Sequence, residues 1–131
     1  MIMALITGDE HMVLVADDSD DIRDLLRVML EMRGCRVVEA VNGAVAVELA
    51  ASTQLALILM DLNMPILDGY EATKQIRERH LLQETPIVAV SAFCDSHNRS
   101  KALAAGCVEC VCKPMDFGRL DGLLEKHLWA H

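Results

Sequence analysis

Aromatic residues are nearly absent from this 131-residue chain: one Trp, one Tyr and two Phe amount to 3% of the sequence. Hydrophobic residues nevertheless make up 53%, which excludes a disordered tail and is sufficient for one domain with a buried core. Because so few aromatics are available, we expect that core to be aliphatic, built from Leu, Val, Ile, Ala and Met.

Basic residues are also in the minority, with 12 Lys and Arg against 20 Asp and Glu and a formal net charge of −8. The phosphate backbone of nucleic acids repels such a chain, so we predict no direct nucleic acid binding. Long apolar runs are lacking too, since no stretch approaches the roughly 20 residues needed to cross a bilayer. Residues 1–5 are apolar but lack the preceding basic residue of a signal peptide. We therefore expect a soluble cytoplasmic protein with no membrane insertion.

The number and spacing of the cysteines disfavour a disulfide framework and a zinc site. The chain has five cysteines: Cys35, Cys94, Cys107, Cys110 and Cys112. The number is odd, three of them crowd into one predicted strand, and no second Cys or His pair follows at a distance suited to zinc. We interpret them as small buried hydrophobic residues in a reducing compartment.

Strand and helix patterns alternate along the chain. Five apolar or alternating runs predict strands at residues 12–16, 35–40, 55–60, 87–90 and 108–112. Helical periodicity and capping residues predict helices at residues 19 or 20 to 33, 44–51, 69–80, 95 or 96 to 106, and 116–128. This alternation predicts an α/β fold, a five-stranded parallel sheet with five helices on both faces.

Charged residues stand where the predicted strands end. Asp17 and Asp18 follow the first strand, Asp61 follows the third, and Lys113 follows the fifth. The carboxyl ends of parallel strands meet at one edge of a sheet, and ligands bind there. Two like charges about 4 Å apart repel by roughly 4 kcal/mol at an effective dielectric constant of 20, so a carboxylate cluster indicates a divalent cation. An all-oxygen ligand set favours Mg²⁺.

The cluster suggests a role for each of its members. We predict Asp18 and Asp61 as the first Mg²⁺ ligands, with Asp17 holding a metal-bound water. The backbone carbonyl of Asn63 is the candidate for a third protein oxygen. Lys113 either neutralises the carboxylates or binds a phosphoryl oxygen as a compact cation.

A hydroxyl donor extends this set. Ser91 ends the fourth predicted strand, with the backbone N–H of Ala92 beside it. A carboxylate nucleophile, a divalent cation, an ammonium and a hydroxyl together favour transfer of a phosphoryl group onto Asp61.

Four sequence blocks resemble those of the receiver domains of two-component response regulators, the CheY-like phospho-acceptor domains. The blocks are Leu-Val-Ala-Asp-Asp-Ser from residue 14, Met-Asp-Leu-Asn-Met-Pro-x-x-Asp-Gly from residue 60, Val-Ser-Ala from residue 90 and Cys-Lys-Pro from residue 112. The resemblance covers about residues 12–128. It implies a flavodoxin-like (βα)5 receiver fold, with a short N-terminal extension at residues 1–11 and one receiver domain at residues 12–131.

The resemblance also implies functional roles. Asp61 would accept a phosphoryl group from a phosphohistidine on a sensor histidine kinase or a histidine phosphotransfer protein. Asp17, Asp18, Asp61 and the Asn63 carbonyl would bind Mg²⁺, while Ser91 and Lys113 would contact the phosphoryl group. The protein would be a signalling switch with intrinsic autophosphorylation and autodephosphorylation chemistry. It would relay the change to the surface of the fourth helix, fifth strand and fifth helix, and so to a downstream target that the sequence does not name.

One position departs from the family pattern. Receivers usually carry Tyr or Phe three residues before the lysine, and this chain has Cys110. Either the output surface signals differently, or Cys110 leaves a shallower, more open groove beside the fourth helix. We interpret Cys110 as a packing residue and not as a redox centre.

Two other classes of protein fit the residues less well. An aspartyl-phosphate hydrolase would need a cap domain and a second acid two residues after the nucleophile. This chain has Asn63 at that position. A module that keeps the fold alone would be expected to have lost Asp61 or Lys113, and both are present.

Overall fold

The computed structural model describes residues 11–79 and 84–129. Its sheet has five parallel strands, β1 Met12–Ala16, β2 Arg36–Ala40, β3 Leu57–Asp61, β4 Ile87–Ser91 and β5 Glu109–Cys112, in the order β2-β1-β3-β4-β5. The helices are α1 Asp20–Glu31, α2 Gly43–Ser52, α3 Gly69–Arg79, α4 Ser96–Ala105 and α5 Phe117–Leu124, and a π-helical turn at Glu125–Trp129 continues α5. The predicted α/β fold is confirmed. None of the helices in this described part is long and apolar enough to span a membrane.

The two faces of the sheet bury separate aliphatic cores. Side chains alternate along each strand, so Leu14 and Ile58 point to one face while Val13 and Leu57 point to the other. The first face is covered by α2, α3 and α4, and the second by α1 and α5. The central strands β3 and β4 are buried along their whole length, which is why their sequences are continuously apolar.

Local capping chemistry sets where the helices begin. Side chains of Ser19, Asn42, Asp95 and Asp116 accept hydrogen bonds from backbone N–H groups in the first turns of α1, α2, α4 and α5. Asn42 caps α2 directly, so this helix begins at Gly43, one residue before its predicted start. Helix α1 ends at Glu31, two residues before its predicted end. Residues 1–10 of the predicted extension, the last residue of the predicted third helix, His80, and residues 130–131 lie outside the described residues.

Helix α4 is attached to the rest of the fold mainly by polar contacts. Ala102 is the one buried residue of this helix, all of which lies in the described part of the chain. The Arg99 guanidinium donates to the backbone carbonyls of Cys94 and Cys110 at 3.1 and 3.0 Å. These bonds tie the start of α4 both to the β4–α4 loop and to β5.

Two cysteines correct a prediction. Cys94, in the loop after β4, forms a disulfide with Cys112 at the end of β5, with 5.6 Å between their Cα atoms. Cys35, Cys107 and Cys110 are free and buried, as predicted. The prediction of unpaired cysteines is wrong for Cys94 and Cys112, because β4 and β5 are neighbours in the sheet and bring together residues 18 positions apart.

Candidate functional site

Three carboxylates meet at the carboxyl edge of the sheet. Asp17 and Asp18 directly follow β1, Asp61 is the last residue of β3, and these strands are paired neighbours. One oxygen from each carboxylate lies within 4.8 Å of the others. Asp17 and Asp61 are buried, at 2% and 3% exposure, while Asp18 is exposed. The site lies where the strand order reverses around β1, the position at which open α/β sheets bind ligands.

Local backbone turns orient the two buried carboxylates. Asp17 Oδ1 accepts a hydrogen bond from the Ser19 N–H at 2.9 Å, and Asp61 Oδ1 accepts one from the Asn63 N–H at 3.1 Å. Each aspartate is thus held by the backbone two residues further on, as in an Asx turn. The second oxygen of each carboxylate faces the shared site.

Lys113 places a cation between those second oxygens. Its Nζ lies 3.0 Å from Asp17 Oδ2 and 3.3 Å from Asp61 Oδ2. Its backbone N–H donates to the Ser91 carbonyl at 2.8 Å, and its peptide bond to Pro114 is cis. The backbone of Lys113, just after β5, is therefore held at the end of β4, and its ammonium reaches the carboxylates that follow β1 and end β3.

The charges shift the pKa values of the site. Burial raises the pKa of Asp61; the Asn63 N–H opposes this, Asp17 adds to it and Lys113 opposes it, so that the net pKa lies above its usual range. Burial lowers the pKa of Lys113, but the two aspartates outweigh this effect and raise it. Three carboxylates facing one ammonium leave negative charge in excess. Their oxygens form a donor set that fits a hard divalent cation such as Mg²⁺.

Ser91 lies next to the site, and its hydroxyl faces away into the β4–α4 loop. The residue is buried, its Oγ donates to the Phe93 carbonyl at 3.0 Å, and it accepts from the Phe93 N–H at 3.0 Å. A hydroxyl has a single proton, so the donor of Ser91 is engaged by the loop in this structure.

A groove occupies the region of the missing aromatic. Cys110 is buried at 6% exposure, and a cavity of about 310 Å³ lies beside it between α4, β5 and α5. Its polar rim includes Arg99, Arg119 and Lys126. Cys110 therefore lines a groove beside α4, at the place that the second expectation for this residue concerns.

Two residues that support the site were missed in the sequence. Arg23 in α1 is buried, and its Nη1 donates to the Asp17 carbonyl at 2.8 Å, while Asp20 and Glu39 pair with its other nitrogens. Gly69, the first residue of α3, lies against the backbone of Asp61. The available sequence signals were an Arg within the acidic first turn of α1 and an Asp-Gly pair before α3. Neither signal identifies the residue that Arg23 or Gly69 contacts in the structure.

Comparisons with known proteins agree with this geometry. The family model for the response regulator receiver domain matches residues 13–125. An uncharacterised 14.6 kDa protein from Leptolyngbya boryana is 35% identical over 118 residues, covering 90% of each chain. The transcriptional regulatory protein SrrA of Staphylococcus aureus is 36% identical over 102 residues, which are 78% of this chain and 41% of SrrA. The chain belongs to the response regulator receiver domain family, and it is a signalling module of two-component systems and phosphorelays.

Solved structures show the same fold. The chemotaxis protein CheY4 of Vibrio cholerae superimposes with a TM-score of 0.86 at 28% identity, over 91% of this chain and 99% of CheY4. The receiver domain of the sensor histidine kinase PA1611 of Pseudomonas aeruginosa has a TM-score of 0.85 at 30% identity, over 92% of this chain and 99% of that one. That structure holds a magnesium ion in its active site cleft.

Proposed function

We propose that Asp61 is the phospho-acceptor of this receiver and that a phosphohistidine is the donor. The observation that carries the proposal is the contact of the Lys113 ammonium with both buried carboxylates, 3.0 Å from Asp17 and 3.3 Å from Asp61. A carboxylate oxygen of Asp61 attacks the phosphorus atom. The bond from phosphorus to the imidazole nitrogen breaks, and the electron pair stays on that nitrogen. Lys113 binds one phosphoryl oxygen and stabilises the charge that develops there.

We further propose that Asp17, Asp18, Asp61 and the backbone carbonyl of Asn63 hold Mg²⁺. The ion would neutralise the repulsion between the carboxylates and the incoming phosphoryl group. The clustering of three carboxylate oxygens within 4.8 Å supports this assignment. So do the magnesium in the cleft of the PA1611 receiver and the magnesium and beryllofluoride in the response regulator TrrA of Thermotoga maritima, 31% identical.

The partner is proposed by similarity. The receiver domain of Ssk1 from Saccharomyces cerevisiae, 30% identical with a TM-score of 0.83, was crystallised with the histidine phosphotransfer protein Ypd1. We propose a sensor histidine kinase or a histidine phosphotransfer protein as the donor, in the cytoplasm.

The net charge of −8 supports the absence of direct nucleic acid binding. The receiver domain model matches residues 13–125, which supports our proposal of residues 1–11 as an N-terminal extension and residues 12–131 as one receiver domain. The chain spans 90% of the Leptolyngbya boryana protein and 41% of SrrA.

Intact-mass measurement after incubation with Mg²⁺ and acetyl phosphate tests the acceptor. The wild type should gain one phosphoryl group, which hydroxylamine removes because it cleaves an acyl phosphate and spares a phosphoserine. Asp61→Asn should gain none. Asp68→Asn is the matched control, because Asp68 is an exposed acid of the same loop and Asn can still cap α3.

Two outcomes would contradict the proposal. A hydroxylamine-sensitive mass gain in Asp61→Asn would assign the acceptor elsewhere, and no gain in the wild type would refute the phospho-acceptor role. Chelation of Mg²⁺ with EDTA should abolish the gain. The proposed autodephosphorylation is measured after the phosphodonor is removed. The loss of the added phosphoryl mass over time is then compared between samples in Mg²⁺ and samples in EDTA.

A further inference from the structure

A chain of hydrogen bonds leads from the phosphoryl site to the only tyrosine of the protein. The Ser91 hydroxyl donates to the Phe93 carbonyl at 3.0 Å, and the Asn98 side-chain amide donates to the same carbonyl at 3.2 Å. The Asn98 side-chain oxygen in turn accepts from the Tyr70 hydroxyl at 3.3 Å. These bonds join the end of β4, the first turns of α4 and the start of α3.

Tyr70 lies on the face of the sheet to which the Cys110 side chain points. Its half-buried ring packs against the core cluster that includes Cys110 and Cys107. The Lys101 ammonium of α4 lies 4.2 Å from the ring centroid, a cation–π contact. Burial, and next the neighbouring Cys110, raise the pKa of Tyr70, so its hydroxyl remains a hydrogen-bond donor at neutral pH. Two residues of α4, Asn98 and Lys101, therefore hold the same side chain of α3.

We propose that Asn98 is the positioning residue that couples the Ser91 hydroxyl to helix α4 and, through its side-chain oxygen, to Tyr70 of α3, by a route that does not pass through β5. The proposal rests on the phospho-acceptor role of Asp61. Donation of the single Ser91 proton to a phosphoryl oxygen removes it from the Phe93 carbonyl and leaves the Phe93 N–H without its acceptor. The loop then moves to satisfy that N–H, and Asn98 follows because its amide is bound to the Phe93 carbonyl.

The attachment of α4 makes this displacement feasible. With Ala102 as its one buried residue in the described structure, the helix gives up little apolar burial when it shifts. The contacts that resist a shift are polar, and two of them end on Tyr70. A change at Ser91 therefore alters the environment of the Tyr70 ring together with the outer surface of α4.

The single tyrosine provides a direct probe of this coupling. Biosynthetic labelling with 3-fluorotyrosine gives one ¹⁹F resonance, because Tyr70 is the only tyrosine in the sequence. The resonance should shift when the protein is phosphorylated with acetyl phosphate and Mg²⁺, and it should return as the acyl phosphate hydrolyses. Intact mass is recorded on each sample, so spectra are assigned to phosphorylated protein only.

A pair of variants in α4 separates coupling from simple proximity. Asn98→Asp keeps an oxygen that accepts from Tyr70 but loses the amide that binds the Phe93 carbonyl, so the phosphorylation-dependent shift should be lost. Ser100→Ala, an exposed change two residues further on, should keep the full shift.

The outcomes distinguish this inference from the proposed function. A phosphorylated wild type with an unmoved resonance overturns the coupling from Ser91 to Tyr70 and leaves Asp61 as acceptor. An equal shift in phosphorylated Asn98→Asp and wild type overturns the route through Asn98. A wild-type sample that gains no phosphoryl group refutes the acceptor role itself.

Discussion

Gly69 gives the sharpest test of how the fold supports Asp61, the proposed phospho-acceptor. It is the first residue of α3, and its N–H donates to the Leu62 carbonyl at 3.0 Å, immediately after Asp61. A Cβ at this position would lie inside van der Waals contact with the Asp61 carbonyl oxygen. It would also lie 2.8 Å from the Leu62 Cα and 2.9 Å from the Asp61 carbonyl carbon. All three atoms are backbone, so no side-chain rotation relieves the overlap.

The size of the effect follows from these distances. Since ordinary Cβ contacts begin at 3.4 Å, Gly69→Ala requires the start of α3 and the end of β3 to separate by about 1.2 Å at the Asp61 carbonyl oxygen and by about 0.6 Å at the Leu62 Cα. Overpacking of this kind costs about 1–3 kcal/mol. We expect Gly69→Ala to lower the free energy of unfolding by that amount. We also expect slower phosphorylation of Asp61, because the displaced backbone is that of the acceptor.

Gly122→Ala is the matched control. Gly122 lies within α5, and a Cβ there would meet no atom within 4 Å. Alanine in a helix is favoured over glycine by about 0.8–1.0 kcal/mol, so this variant should be as stable as the wild type or more stable. Urea unfolding followed by circular dichroism measures both variants, and acetyl phosphate labelling measures uptake. Equal urea midpoints for Gly69→Ala and the wild type would refute the argument.

Three further predictions concern the site and the disulfide. Saturating Mg²⁺, at about 100 times its Kd, should stabilise the wild type by about 2.7 kcal/mol in thermal unfolding, and an equal gain in Asp18→Asn would contradict the ligand assignment. Burial, and to a lesser extent the charge of Asp17, raise the pKa of Asp61, so the ionised form of Asp61 destabilises the folded state. Asp61→Asn should therefore have a higher free energy of unfolding than the wild type at pH 7. This difference should shrink as the pH falls through the folded-state pKa of Asp61. A difference in urea unfolding that does not depend on pH would exclude ionisation of Asp61 as its cause. Reduction of the bond between Cys94 and Cys112, which are 18 positions apart, should add the mass of two hydrogens and remove about 3 kcal/mol of stability, and no mass change would show that the cysteines are unpaired.

The fold was predictable because its signals are local. Burial on both sides makes β3 and β4 continuously apolar, and short polar side chains mark the helix starts at Ser19, Asp95 and Asp116. Boundaries were less accurate. Helix α1 stops at Glu31, and the chain reverses direction at Gly34, which has a positive φ of 83°. The Cys35 N–H then donates a hydrogen bond to the Leu30 carbonyl. The π-helical turn after α5 had no recognisable sequence signal.

The candidate site was predictable in membership but not in its contacts. Charges at strand ends identify Asp17, Asp61 and Lys113, because parallel strands share one carboxyl edge. Which atoms meet depends on the order of strands, and this is a non-local property. The disulfide of Cys94 and the bonds between α3 and α4 arise from that same order. No spacing along the chain reports them.

The sparse burial of α4 has a consequence for how such a protein can change over generations. Its outer face can exchange side chains without opening a cavity, and surface substitutions of that kind usually alter stability by less than about 0.5 kcal/mol. The acid site has no such freedom, since Asp61 touches the backbone of the neighbouring helix and Lys113 is shared by two carboxylates. Selection can therefore alter the surface of α4 while the geometry of the carboxylates and Lys113 stays fixed. Under the proposed function, that separation lets duplicated copies of such a receiver acquire distinct targets one surface substitution at a time.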